Sequence, residues 1–305
     1  FAREEGLAPR VEAQRIAHYL IHANLTGHDS HGVLRVPRYV EWVKNGRVKA
    51  GQQVEVVMDA GAMAILDGHQ GFGQTVGPQA AQHGITKALE HGVAVVALRN
   101  AGHLGRIGDY AEAAAAAGLA SIHCVNVRGS LLVAPFGGVE RRLSTAPFAA
   151  GVPVPGGEPV ILDFATSAVA EGKALVAARG GKPLPMGTLI TAEGELSNDP
   201  LELYGEITEG VSPNPRSGSG ALRTMGDHKG SGLSIMMELL GGALTGCGTA
   251  GPPPKEFANG MLSVYMEVAR FDDLGNYADE VRNYIDFVKN SRPADPQAPV
   301  LVPGD

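Results

Sequence analysis

Between His28 and Tyr39 the chain sets two histidines, a serine, an aspartate, two arginines and a tyrosine in one run, His28-Asp29-Ser30-His31-Gly32-Val33-Leu34-Arg35-Val36-Pro37-Arg38-Tyr39. Imidazoles exchange protons near neutral pH, hydroxyl and carboxylate groups orient them, and a guanidinium holds a carboxylate through two parallel charge-assisted bonds. These parts suit chemistry on a small organic acid. Arg35 follows His31 by four residues, which on a helix places both on one face, a turn apart. Two readings stay open from the residues alone. Either the run is a site, or Asp29 or Ser30 caps a helix continuing through Tyr39 and the histidines sit solvated on its first turn.

Three further stretches carry chemistry. His103 lies in Gly102-His103-Leu104-Gly105 at the end of an apolar run, where it has little local packing to bury it and faces a cleft or solvent. Met225-Gly226-Asp227-His228-Lys229-Gly230-Ser231-Gly232 opens a helix and is a cationic, backbone-rich N-terminus suited to a phosphate. It is not a Walker A loop, because Lys229 precedes Gly230, and a solvated lysine is the plainer alternative. Asp163 closes the strand-like Val160-Ile161-Leu162, where an acid binds a ribose or caps a helix.

The elements that must position these groups follow from periodicity. Val11, Ala13, Ile16, Ala17, Leu20 and Ile21 repeat at helical spacing up to Gly27, and a second helix ends at Asn45-Gly46. Val54–Met58 and Ala62–Leu66 read as a hairpin, 93–98 and 120–125 as strands, and the alanines 113–117 as the close-packing face of a helix. Leu131 to Pro135 and Met261 to Val268 also read as extended, with helices at Ala168–Ala178, Leu233–Leu244 and on Tyr277, Val281, Tyr284, Ile285 and Val288. Ser212 to Gly220 has the composition of a mobile surface loop, and Gly246 to Pro254 is irregular. The loop Gly68-His69-Gln70-Gly71-Phe72-Gly73-Gln74-Thr75-Val76-Gly77, followed by a helical pattern to Glu90, mimics a dinucleotide-binding βαβ unit. Its glycine spacing departs from the fingerprint, and the following strand ends in Arg99-Asn100 without the ribose-binding acid.

The 305 residues, 44% hydrophobic, make a globular protein with one large core or two smaller ones. A net charge of −7 with no basic run excludes a nucleic-acid partner. Two unpaired cysteines, Cys124 and Cys247, point to a reducing compartment, with the cytoplasm as the default. The most apolar stretch, Leu233–Leu244, is interrupted by Glu238 and Gly241-Gly242 and is too short to span a membrane.

Taken in order, Asp29-Ser30-His31-Gly32-Val33-Leu34-Arg35 with Tyr39, Asp67-Gly68 with Gly71-Phe72-Gly73-Gln74, Asn100 with Gly102-His103-Leu104-Gly105, Leu162-Asp163 with Ala165-Thr166-Ser167, and His228-Lys229-Gly230-Ser231-Gly232-Leu233 resemble the successive signatures of the malate/L-lactate dehydrogenase type 2 family. That family also includes ureidoglycolate and sulfolactate dehydrogenases, diketogulonate reductase and cyclic-imine reductases. The resemblance implies an α/β fold with a non-Rossmann NAD(P)-binding domain on a predominantly antiparallel sheet, residues 51–269. It also implies a helical substrate and dimerisation domain from residues 1–50 and 270–305, and a homodimer. It places Ser30, His31, Arg35, Tyr39 and His103 around the substrate, and Asp163, Phe164, Ala165 and Lys229 around the cofactor. Pro303-Gly304-Asp305 resembles a C-terminal motif that also approaches the cofactor. No metal is implied. Thr145-Ala146-Pro147 stands where the family usually has Thr-Asn-Pro, and Arg128 and the insertion-like Val211–Leu222 follow no family pattern.

The implied reaction is hydride transfer between NAD or NADP and C2 of a malate- or lactate-like 2-hydroxy or 2-oxo acid, or a related cyclic imine acid. A histidine moves the proton, His103 being favoured, with His31 and Ser30 orienting the substrate. The cofactor is expected on the sheet between Asn126 and Val268 and away from the Gly71–Gly73 loop. The alternatives are a metal-dependent hydrolase built on His28, Asp29, His31 and His103, and a catalytically inactive member of the family.

Overall fold

Apolar residues recurring every three to four positions, then every two, sort the chain into helices and strands much as expected. The computed structural model describes residues 7–208, 213–252 and 255–305. Helices α1 (Arg10–Leu25) and α2 (Val36–Lys44) come first, followed by the hairpin β1 (Glu55–Ala60) and β2 (Met63–Asp67). Then come α3 (Gly73–His91), β3 (Val93–Ala101), α4 (Gly108–Ala116), β4 (Leu119–Arg128), β5 (Pro147–Val152) and β6 (Val160–Ala165). Next are α5 (Glu171–Ala178), the short β7 (Leu189–Ile190) and β8 (Leu196–Ser197), α6 (Leu201–Tyr204) and β9 (Ala221–Leu222). The chain continues through α7 (His228–Met237), β10 (Ala258–Glu267) and α8 (Leu274–Lys289).

One seven-stranded sheet has the order β1-β2-β3-β10-β4-β5-β6, and β7, β8 and β9 form a small second one. Every neighbouring pair in the large sheet is antiparallel except β2–β3. That parallel pair, crossed over by α3, is the βαβ unit whose turn mimics a Rossmann loop. Its glycines serve packing. A Cβ on Gly84 would lie 2.1 Å from the Tyr265 ring and one on Gly77 would lie 2.2 Å from Tyr110 Oη, so α3 rests directly on the core residues beneath it. The main core gathers α3, α4 and the sheet around Leu66, Val76, Leu98, Ile107, Tyr110 and Tyr265. A satellite core of Ile16, Leu20, Tyr39, Trp42, Val48 and Phe72 fastens α1 and α2 to the start of α3.

Four expectations change. The run from Ser30 to Tyr39 is not one helix: Asp29–His31 and Val33–Arg35 are separate 3-10 turns, broken at the extended Gly32, and neither Asp29 nor Ser30 caps a helix. A Cβ on Gly32 would overlap the Asn24 side chain, which accepts from Val33 N–H, so α1 dictates the break. The helix expected from Ala168 starts at Glu171. The one expected over Leu233–Leu244 begins at His228 and ends in a π-helical stretch, Glu238–Leu244. There the buried Glu238 carboxylate accepts from Asn126, Ser144 and the Ala250 N–H, and Gly241 presses on the Asn126 backbone. Lastly, the run read as a mobile loop is clamped. Residues 209–212 lie outside the described residues, as do 253–254 of the Gly246–Pro254 stretch. From Pro215 onward, Arg141 donates to the carbonyls of Pro215 (2.9 Å), Gly218 (2.7 Å) and Gly220 (2.6 Å). Among the described residues no helix is long and apolar enough to cross a membrane.

Candidate active site

The two 3-10 turns, the β3–α4 loop, the end of β6, the start of α5 and the 213–216 segment enclose a cleft of about 1380 Å³. That exceeds the ~300–1,000 Å³ usual for one small ligand and leaves room for a dinucleotide beside a small acid. Although the whole chain is acidic, the cleft is lined by seven Lys/Arg and five Asp/Glu residues, an excess that favours anions.

His31 and His103 meet in one wall with rings stacked 5.4 Å apart and 6° from parallel. Ser30 Oγ lies 3.0 Å from His31 Nδ1, and Tyr39 Oη lies 2.7 Å from His103 Nδ1. Burial, then the guanidinium of Arg35, pulls both imidazoles well below their usual range, so both rings are neutral at pH 7. Arg35 reaches His31 by a route other than a shared helix face: its Nε donates to the Ser30 carbonyl at 2.5 Å, folding the side chain back across the turn. Its Nη1 lies 3.5 Å from Glu171 Oε2.

Ser30, His31, Arg35, His103, Asp163, Phe164 and Ala165 therefore all line the cleft. Tyr39 does not: it is 1% exposed and stands behind His103. Asp163 makes a capping contact within the fold. Its Oδ2 accepts the N–H of Gly108 at 2.7 Å, so it caps the distant α4 and not the following α5. Burial raises its pKa despite that bond and the nearby His28. Lys229 is exposed, four residues beyond the cleft-lining Met225, and is not in the lining. Pro303-Gly304-Asp305 is also outside it. Gly304 lies against the Pro159–Ile161 backbone of the edge strand, and Asp305 takes a 2.7 Å bond from Lys289 of α8.

Several residues at the site were not singled out as site residues from the sequence. The buried Glu171 carboxylate receives Tyr204 Oη at 2.8 Å and lies 3.7 Å from Arg38 as well as near Arg35. Gln74 donates to Tyr39 Oη, and Asn259 Oδ1 accepts the Leu104 N–H at 3.0 Å to fix the His103 loop. Pro213, Asn214, Pro215 and Arg216 line the cleft although their composition reads as a surface loop. For Glu171 the one usable signal was an acid opening a helix before Gly172, where a Cβ would overlap Ser30. The two departures have structural uses. Ala146 is fully buried with Cys124 and Met237, beneath the cleft-lining Thr145 and Pro147. Arg128 straps the carbonyls of Cys247 and Glu256.

Among the described residues, the set of three potential metal ligands that comes together is His22, Asp109 and Glu112, not the His28, Asp29, His31 group. Arg106 already holds both of its carboxylates, at 2.8 and 2.7 Å.

The sequence profile of the malate/L-lactate dehydrogenase family matches residues 4–305. The chain is 40% identical to hydroxycarboxylate dehydrogenase B of Escherichia coli (strain K12) over 299 residues, covering 96% of this chain and 79% of that protein. It is 35% identical to an L-lactate dehydrogenase of Cupriavidus necator over 302 residues, 97% of this chain and 83% of the relative. The solved structure of malate dehydrogenase from Pyrococcus horikoshii OT3 superposes with a TM-score of 0.82 at 29% identity, covering 97% of this chain and 80% of that one.

Proposed function

The chain belongs to the malate/L-lactate dehydrogenase family, and from that premise we propose that it interconverts a small 2-hydroxy acid and its 2-oxo acid with a nicotinamide dinucleotide, using the His31–His103 wall. The observation that carries this reading is the convergence of two stacked, neutral imidazoles and an arginine on one side of a cationic cleft large enough for two ligands. The metal-hydrolase alternative finds no support among the relatives, whose names are those of dehydrogenases.

When bound, the nicotinamide supplies or accepts the hydride at C2. Asp163, Phe164 and Ala165 are the residues we assign to its reactive end, with cleft-rim cations such as Lys173 and Lys255 toward its phosphates. The protein's own contribution is to bind and orient. Arg35 has Nη2 free of protein partners among the described residues, which leaves that nitrogen's N–H donors for a substrate carboxylate. Holding the acid there sets its C2 oxygen against the imidazoles, one of which exchanges the proton. A neutral ring with an open lone pair suits the oxidation direction, since a base must start unprotonated.

The finer assignments belong to the same proposal. They are NAD or NADP as the dinucleotide, a homodimer, a cytoplasmic setting, and the division of the chain into residues 51–269 and residues 1–50 with 270–305. Roles for Lys229 and Pro303–Asp305 at the cofactor also belong to it, although neither lines the cleft. A panel of 2-hydroxy acids, 2-oxo acids and cyclic imine acids, followed through the absorbance of the reduced nicotinamide with each dinucleotide, tests the reading. Turnover of at least one acid is expected. A folded protein that binds neither dinucleotide and turns over no member of the panel would refute it.

A further inference from the structure

Gln74, in the first turn of α3, is 2% exposed, and its amide nitrogen faces two oxygens: Tyr39 Oη at 3.0 Å and the His103 carbonyl at 3.3 Å. A carbonyl only accepts, so the group turned toward it is the NH2. Turning the amide over would set two oxygens against each other. The Tyr39 hydroxyl takes a hydrogen from that NH2 and keeps its own to give, and the acceptor in reach is His103 Nδ1 at 2.7 Å. The opposite assignment, with Nδ1–H donating to the tyrosine, would strand a buried hydroxyl hydrogen, because no other acceptor contacts Tyr39 Oη among the described residues. An Nδ1 that accepts carries no hydrogen, and in a neutral imidazole the hydrogen is then on Nε2.

We propose that Gln74 and Tyr39 lock His103 as its Nε2–H tautomer, so that His103 is a fixed hydrogen-bond donor to the substrate's reacting oxygen and not the group that removes its proton. The surroundings agree. Burial pushes the Tyr39 hydroxyl up to about 12, which keeps its hydrogen in place, and burial with Arg35 keeps His103 neutral. Gly105, at φ +79°, leaves the space in which Gln74 sits: a Cβ there would lie 2.9 Å from the amide nitrogen. Nε2 has no partner among the described residues, and His103 lines the cleft. In the reduction direction an Nε2–H aimed at the carbonyl stabilises the negative charge developing on oxygen, and the proton that completes the hydroxyl arrives by way of His31, the reverse of the oxidation step. In the oxidation direction it has no lone pair to offer, and His31 is the imidazole left to take the proton. Gln74 and Tyr39 are thus positioning residues. The catalytic meaning of the lock rests on the hydroxy-acid reading above; the tautomer does not.

Two measurements on the full chain separate these. With 15N-labelled histidine, the long-range proton–nitrogen spectrum distinguishes the two neutral tautomers, and the His103→Gln variant identifies the signal. Wild type is expected to show the Nε2–H pattern and Tyr39→Phe a mixture; an Nδ1–H pattern in wild type overturns the proposal. In turnover, His103→Ala is expected to lose roughly 10²–10³-fold in kcat, the size seen when one such donor is deleted. His103→Gln retains an N–H donor and is expected to recover about tenfold or more of that loss. A folded His103→Gln no better than His103→Ala overturns the donor role. If wild type turns over no hydroxy acid, the functional reading fails while the spectrum still decides the tautomer.

Discussion

Replacing Gly73 by alanine tests how tightly the glycine loop holds the site. The added Cβ would stand 2.1 Å from the His103 carbonyl oxygen and 2.5 Å from both the His103 carbonyl carbon and Leu104 Cα. Ordinary contact begins near 3.5 Å, so this backbone must retreat by more than about 1 Å. It is not free to do so. Leu104 N–H is bonded to Asn259 Oδ1 at 3.0 Å, the Leu104 carbonyl accepts from Tyr110 Oη at 2.7 Å, and His103 Nδ1 is bonded to Tyr39. Overpacking of this kind costs about 1–3 kcal/mol of stability. A displacement of that size in a catalytic group costs about 10²-fold in rate. Gly73→Ala is therefore expected to lower kcat by about two orders of magnitude and to shift the urea midpoint down. Gly232→Ala is the control, since nothing lies within 4 Å of its Cβ and alanine favours the helix it sits in. Steady-state kinetics with urea unfolding on both variants decide the matter. A folded Gly73→Ala with kcat within about twofold of wild type would refute the claim that this loop exists to place His103.

Arg35→Lys is expected to raise KM for a 2-oxo acid and lower kcat, with a loss of roughly 2–4 kcal/mol in kcat/KM, because lysine offers a point charge and abandons the Ser30 carbonyl; kcat/KM within about twofold of wild type would release Arg35 from carboxylate binding. Glu171→Gln removes the negative charge shared by Arg35 and Arg38, so the KM of a dicarboxylic acid is expected to fall by about tenfold relative to a monocarboxylic one, and an unchanged ratio would show that Glu171 does not set the charge of the cleft floor. His123 is fully buried between Ser121 and Ser263, and burial lowers its pKa to about 3. Between about pH 6.5 and 3 the unfolded chain binds a proton there that the native state refuses, so stability falls on acidification by up to about 1.4 kcal/mol per pH unit from this group. Urea unfolding across that range should show a slope shallower by about one proton in a folded His123→Gln, and identical slopes would contradict the assignment.

Local periodicity determined the long elements of this protein, α1, α3, α4, α8 and the central strands, because burial of one face at a period of 3.6 or 2 is written within ten to twenty residues. The chemistry-bearing run at 28–39 and the glycine-flanked His103 were legible for a related reason: polar groups that no local core requires stand out against apolar repeats. The departure of the Gly68–Gly77 loop from the Rossmann fingerprint was likewise legible, in its glycine spacing and a missing acid. What only the tertiary structure decided is which distant residues meet. β10 enters the sheet between β3 and β4, more than a hundred residues earlier in the chain, and carries Asn259 to the His103 loop. Asp163 caps a helix that precedes it, Glu171 meets Arg35 across 136 positions, and Arg141 turns a proline- and glycine-rich run into a fixed cleft wall. These contacts are single hydrogen bonds and ion pairs between residues with no shared period, so no window of sequence contains them. They form because the packed sheet and helices bring their backbones within reach, and buried polar groups then take the partners that the fold leaves them.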